Sequence, residues 1–224
     1  MKRILKPSQN HKTMDYFSRP EVSNSDLNRL KDMLHPKEDA IDPYNSYRLG
    51  TLLDAMVTEP EIVNFLRFTC GEYTYSEAEF ENTRAMKRSV MADPLVSNML
   101  KNSSFQEVMV KHDIPFDYDI PFTLSCGCKW DIWMPLFSWG ADLKTTTAET
   151  QKQFEEAARY FDYDRQRFWY MNIAGSKKDL LIGVSKSNHK VFKIPIERGD
   201  AFWQSGKEKA LELAYKYWIM FGKI

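Results

Sequence analysis

Two aspartates and a lysine stand out in this sequence of 224 residues: Asp131 in KWDIWMP, then Asp142 and Lys144 in GADLKTT. Read as two strands around a loop whose midpoint lies between Leu136 and Phe137, a symmetric register sets Asp131 opposite Asp142. Lys144, two residues beyond Asp142, shares its face. Trp130, Ile132, Met134, Ala141 and Leu143 then form an apolar stripe on the other face. Directly opposed residues have Cβ atoms roughly 4.5–5.5 Å apart, and like charges placed there are destabilising. A divalent cation turns that repulsion into a site, because Mg²⁺ favours one or two carboxylates completed by phosphate and water. A nearby ammonium can orient or deprotonate a water, or stabilise phosphoryl charge. The same letters also describe a solvated strand face with an exposed Asp–Lys pair, so the rest of the chain must decide.

The elements that would carry these residues read as follows. Ser23-Asn24-Ser25-Asp26 is a helix N-cap cluster ahead of Leu27, Leu30, Met33 and Leu34 at helical spacing, and Pro36 ends that helix. A second helical stretch carries Tyr47, Leu49, Leu52, Leu53 and Met56 on one side and stops at Pro60. Residues 76–100 are helical with a restart at Pro94. Strands are predicted at Phe105–Lys111, Phe116–Leu124 and Lys129–Pro135, with Ser125-Cys126-Gly127 as the turn between the last two, and a fourth at Ala141–Thr146. Residues 149–173 read as one long helix. Leu180–Val184 and Lys190–Ile196 are strands. A last helix places Ala210, Leu211, Ala214, Trp218 and Phe221 on one face. Helices, strands, a long helix, a strand pair and a helix predict an α/β (α+β) layered fold on one central mixed sheet flanked by helices.

Composition narrows the function classes. Lys plus Arg and Asp plus Glu both number 31, so the net charge is zero and a wholly basic nucleic-acid coat is excluded, though a local basic groove is not. No apolar run approaches the roughly 20 residues of a membrane span. The basic N-terminus lacks the apolar stretch of a secretory signal. Three cysteines, an odd number, suggest reduced thiols in a cytosol. Cys126 and Cys128 with a distant Cys70 fall short of the four ligands that structural zinc or an iron–sulfur cluster needs. His11, His35, His112 and His189 form no spaced cluster.

Asp131, a spacer, then Asp142-Leu143-Lys144 on adjacent strands resembles the PD-(D/E)XK nuclease superfamily. Gln166 and Tyr170 in YDRQRFWYM form a Q-x-x-x-Y motif on one helix face, as in its RecB-like and lambda-exonuclease-like branches. The segments SNSDLNRL and YRLGTLLDAMVTEPE look like the N-terminal helices of the RecE-like exodeoxyribonuclease VIII group. The ordered matches run from about residue 21 to 220. The resemblance implies a restriction-endonuclease-like core over residues 21–224, preceded by a flexible arm over 1–20.

Carried over residue by residue, it makes Asp131 and Asp142 metal ligands, with the Leu143 carbonyl as a further ligand and Lys144 as the catalytic lysine. Gln166 and Tyr170, with Tyr163 and Arg165, would line the DNA side. Where the group often carries a His after G-T-x-x, this chain has Asp54, which suits a hard ion. The implied cofactor is one or two Mg²⁺ ions, with Mn²⁺ as the substitute. The implied activity is hydrolysis of phosphodiester bonds at double-stranded DNA ends, 5′ to 3′, in phage-type recombination or repair. The implied partners are DNA, a homo-oligomeric ring and a single-strand annealing protein. Lys87, Arg88, Arg159, Arg165 and Arg167 are the candidates for a basic inner surface. Of the aromatic group, Phe161, Phe168 and Trp169 are expected in the core and Tyr163 at the site. An endonuclease on the same core, or a catalytically degenerate DNA-binding module, are the alternatives.

Overall fold

The computed structural model describes residues 19–36 and 43–222, so the expected arm lies outside the described residues apart from Arg19 and Pro20. Helix α1 (Asn24–Leu34) starts at a reciprocal cap: Ser23 Oγ accepts from the Asp26 amide, and Asp26 Oδ2 accepts from the Ser23 amide at 2.9 Å. Helix α2 (Pro43–Thr58) stops two residues before Pro60. Three two-residue strands follow, β1 (Val63–Asn64), β2 (Thr69–Cys70) and β3 (Tyr73–Thr74), a small antiparallel sheet that sequence periodicity did not predict. Helices α3 (Glu77–Ala92) and α4 (Pro94–Lys101) are separated at Asp93, whose carboxylate caps α4.

The main sheet has the order β4–β5–β6–β7–β8: β4 (Ser104–Asp117), β5 (Pro121–Met134), β6 (Trp139–Thr146), β7 (Lys178–Ser185) and β8 (Val191–Glu197). Only β6 and β7 are parallel, joined by α5 (Gln151–Tyr160) and α6 (Tyr163–Ala174). Helix α7 (Ala201–Phe221) ends the described chain. One face of the sheet packs α1, α5, α6 and α7 around Trp130, Phe154, Trp169 and Phe202. The other packs α2, α3 and α4 around Ile132, Leu143 and Ile182. The layered mixed-sheet architecture expected from the sequence is the one observed. Two glycines permit the close approaches. A Cβ on Gly183 of β7 would lie 2.4 Å from the Phe154 ring of α5, and one on Gly206 of α7 would lie 2.1 Å from the Asp164 carbonyl of α6. Among the described residues no helix is long and apolar enough to cross a membrane.

Three expectations are corrected. Ser125-Cys126-Gly127 is not a turn. The chain reverses at Tyr118–Ile120, where Phe116 pairs Phe122, and β5 runs on through Cys126 and Cys128, whose thiols are free and buried. There the second edge of β5 is taken by Val22, whose amide donates to the Ser125 carbonyl while Gly127 donates back. The long helix is two, because Asp162 adopts the left-handed conformation at φ 56° and turns the chain between α5 and α6. Trp130 does not share a core with Ile132. It packs against Trp133, with ring centroids 5.1 Å apart, on the opposite face.

Candidate active site

The cause of the Trp130 reversal is also what builds the site. The β4–β5 ladder pairs Phe105 with Ile132 and Glu107 with Trp130, skipping Gln106 and Asp131. Gln106 has φ 54°, a sparsely populated conformation for a non-glycine residue, and stands opposite Asp131 with the register unchanged on either side. On the other edge the β5–β6 ladder runs from Met134↔Trp139 to Ile132↔Ala141 and stops. That is the symmetric register expected around the Leu136–Phe137 loop. Asp131 is therefore absent from the backbone ladder on both sides. Its carboxylate takes over, with Oδ2 accepting from the Leu143 amide at 3.0 Å. Leu143 sends its side chain into the core, which turns Asp142 and Lys144 to the α5–α6 side of the sheet.

Asp142 is 1% exposed and carries two cations. Lys144 Nζ lies 2.5 Å from its Oδ2, and Arg167 Nη1 of α6 lies 2.6 Å from its Oδ1. Arg167 is itself fully buried, and its Nε is 2.7 Å from Asp179 Oδ2 at the start of β7. The Arg167 guanidinium also covers the rings of Tyr170, 4.5 Å from the centroid, and Trp130, at 4.7 Å. From the opposite layer α2 supplies Asp54. Gln106 Nε2 donates to Asp54 Oδ2 at 3.1 Å and to Thr58 Oγ1 at 2.9 Å, so this residue of β4, outside the ladder, holds the helix carboxylate in place.

The electrostatics follow from this crowding. Burial, then the charges of Asp142 and Asp54, push Asp131 well above the usual carboxylate range, against the pull of Lys144 and the Leu143 amide. Burial likewise raises Asp54, although Gln106 and Lys144 favour its ionised form. Lys144 is held as a cation: desolvation opposes it, but Asp142 and Asp131 outweigh that. Arg167 is held as a cation in the same way by Asp179 and Asp142.

The donor set suits a hard divalent ion. Among the described residues no three of His, Cys, Asp or Glu close into a ready cage. Mg²⁺ asks for none, since water and phosphate complete its shell around one or two carboxylates. In their ionised forms Asp54, Asp131, Asp142 and Asp179 outnumber Lys144 and Arg167 by two charges, which one divalent ion would offset.

Of the residues singled out in the sequence, Asp54, Asp131, Asp142, Leu143 and Lys144 come together. Tyr163 joins them, with Lys144 Nζ 5.4 Å from its ring centroid. Gln166 is half-buried on α6, one turn from Tyr163 and Tyr170, and Tyr170 is 8% exposed against Trp130. Arg165 is corrected. It is 1% exposed, donates to Asn24 Oδ1 at 3.1 Å and to Asn28 of α1, and docks α6 on α1 rather than facing a ligand. Arg167 is likewise no surface group. Of the other basic candidates Arg88 and Arg159 are exposed and Lys87 is half-buried. Phe168 and Trp169 are in the core as expected, but Phe161 is 59% exposed. Sequence reasoning missed Gln106, Asp179 and the buried role of Arg167. A glutamine in a strand carries no signal, whereas an Arg beside Gln166 and ahead of the apolar Phe168-Trp169-Tyr170-Met171 run did carry a faint one.

No family model and no curated protein matches this sequence. Solved structures do match. A putative exonuclease from Eubacterium rectale superposes with a TM-score of 0.55 at 15% identity, over 87% of this chain and 74% of that one. This chain shares that protein's fold. A phage-related exonuclease from Haemophilus somnus 129PT is a looser match, with a TM-score of 0.38 at 10% identity over 87% of this chain and 92% of that one. LHK-Exo in complex with dAMP is looser still, with a TM-score of 0.30 at 14% identity over 89% of each chain.

Proposed function

We propose that this protein is a metal-dependent deoxyribonuclease that hydrolyses phosphodiester bonds at double-stranded DNA ends, working 5′ to 3′. The observation that carries this reading is the meeting of Asp131, Asp142 and Lys144 where β5 and β6 part. The fold shared with a protein named as an exonuclease supports it.

Asp131 and Asp142 would hold a Mg²⁺ or Mn²⁺ ion, with Asp54 and the Leu143 carbonyl completing the protein's share and admitting a second ion. When bound, the ion supplies Lewis acidity and a water acidic enough to attack phosphorus. Lys144, kept cationic by Asp142, orients that water and neutralises charge on the phosphoryl oxygens. Arg167 holds the Asp142 carboxylate in place from the α6 side. Tyr163 walls the Lys144 ammonium on its α6 side. Gln166 and Tyr170 flank the same helix face toward DNA. A homo-oligomeric ring and a single-strand annealing partner fit the same reading, as does a role in phage-type recombination.

Digestion of linear duplex labelled at either 5′ or 3′ ends, beside a covalently closed circle, tests it. Mg²⁺-dependent loss of the linear DNA alone, with 5′ label released first, is expected. Cutting of the circle would favour an endonuclease on this core. Inertness in both Mg²⁺ and Mn²⁺ would leave a DNA-binding module.

A further inference from the structure

Next to Lys144 lies a run of aromatic rings that the chemistry above does not use. Tyr163, over the Lys144 ammonium, stacks on Phe161 with centroids 5.9 Å apart and planes 30° from parallel. Phe161 meets Tyr160 edge-on at 5.0 Å. Exposure rises outward along the run, with Tyr163 half-buried, Phe161 59% exposed and Tyr160 74% exposed. On helix α2, Tyr47 is 67% exposed. Tyr160 and Phe161 also wall an open groove of 680 Å³ that continues to Thr147 and Ala148, just past the Lys144 strand.

Large aromatic rings side by side in water need a reason. A loose loop is not the reason here. The run pivots on Asp162, whose left-handed backbone turns Phe161 outward, and whose carboxylate is gripped by Lys31, by Lys209 at 2.9 Å and by Arg165 at 3.7 Å. Three cations spent on one turn hold the rings in a fixed pose. The groove also carries Glu149 and Glu156. Carboxylates repel a phosphate backbone but tolerate the neutral faces and exocyclic amines of bases, so the groove suits bases rather than phosphates.

We propose that Phe161 and Tyr160, continued inward by Tyr163, form a stacking platform for unpaired bases at the end of the DNA strand whose phosphate reaches Lys144. This rests on the nuclease reading above. The platform would hold a frayed terminus next to the reacting phosphate without regard to sequence, because every base offers a π face.

The test uses a duplex carrying 2-aminopurine at its 5′-terminal positions, bound in Ca²⁺ in place of Mg²⁺, with wild type, Phe161→Ala, Phe161→Leu and Tyr160→Ala. Stacking should quench the probe on wild type. Both Phe161 variants should restore its fluorescence and weaken binding by about 5- to 150-fold, a range matching the known worth of one base–aromatic stack. Replacing the terminal bases by abasic sites should weaken wild type by a similar factor and leave Phe161→Ala unaffected, so that the two changes are not additive. Quenching and affinity unchanged in both Phe161 variants, while wild type still binds and cleaves DNA, would overturn the platform and leave the nuclease reading standing. Wild type that neither binds nor cleaves DNA would overturn both.

Discussion

Asp131 of β5 bonds to the backbone amide of Leu143 on β6 through its side chain, at 3.0 Å. One carboxylate oxygen thus replaces a strand carbonyl where the ladder ends, leaving Asp142 and Lys144 free of the pleat they would otherwise share with β5. An asparagine could accept the same bond without the charge. Asp131→Asn should therefore melt no lower than wild type in EDTA, since it also removes a buried charge crowded by Asp142 and Asp54. Its DNA cleavage should fall by about 10³-fold or more, the size of a lost metal-ion contribution of several kcal/mol. Asp131→Ala should lose both. Wild-type activity in Asp131→Asn would remove the residue from the metal site.

Arg167 bridges two buried aspartates, Asp142 and Asp179. Truncating it strands both carboxylates, so Arg167→Met should destabilise by about 3–5 kcal/mol in urea denaturation. Burial already pushes Asp179 up to about 6 despite the guanidinium. Adding Asp179→Asn to Arg167→Met should recover part of the loss. Arg167→Lys should not rescue, because one ammonium lacks the planar fork that reaches both partners. A stable Arg167→Met single variant would contradict the bridge.

Asp162 gives a pH signature. Burial would raise its carboxyl, but hydrogen bonds from Lys31 and Lys209 and the charge of Arg165 hold it below the usual carboxylate range. A carboxyl lowered in the folded state contributes stability that is complete above its unfolded pKa of about 4 and is lost as pH falls through the folded value. The stability difference between wild type and Asp162→Asn should be constant from pH 7 to 5 and close only below about pH 4. The asparagine keeps the left-handed turn open to it. A gap that closes above pH 5 would contradict the assignment.

Much of this was legible in the sequence, and the failures share a cause. The β5–β6 register followed from loop symmetry and from the alternation of Ile132, Met134, Ala141 and Leu143, which are local signals. Trp130 broke the pattern because the ladder is interrupted at the facing pair Gln106 and Asp131, which local alternation does not show. The break at Asp162 depends on Lys31, Lys209 and Arg165, cations delivered by tertiary packing. Arg165 and Arg167 read as candidates for a basic DNA-facing surface until Asn24, Asn28, Asp142 and Asp179, not adjacent in sequence, arrive to bury them. Ser-Cys-Gly has turn composition, but the Phe116–Phe122 pair and the continuous pairing of Cys126, Gly127 and Cys128 with β4 place the reversal elsewhere.

Gln106 is held at φ 54° while its amide fixes Asp54. Such backbone strain costs of the order of 1–3 kcal/mol. Gln106→Gly should relieve it, leaving the melting temperature equal or higher, and should weaken Mn²⁺ binding measured by calorimetry about 10- to 100-fold, as loss of an outer partner of a metal ligand does. Gln106→Gly with unchanged Mn²⁺ affinity would detach Asp54 from the metal site.

The central claim is that Lys144, set 2.5 Å from Asp142, serves phosphodiester hydrolysis. Its most direct test is degradation of linear double-stranded DNA by wild type and Lys144→Ala side by side, in Mg²⁺ and in EDTA. Wild-type digestion that stops in EDTA, with Lys144→Ala inactive yet folded, is the predicted result. Digestion that persists in Lys144→Ala, or in EDTA, would contradict it.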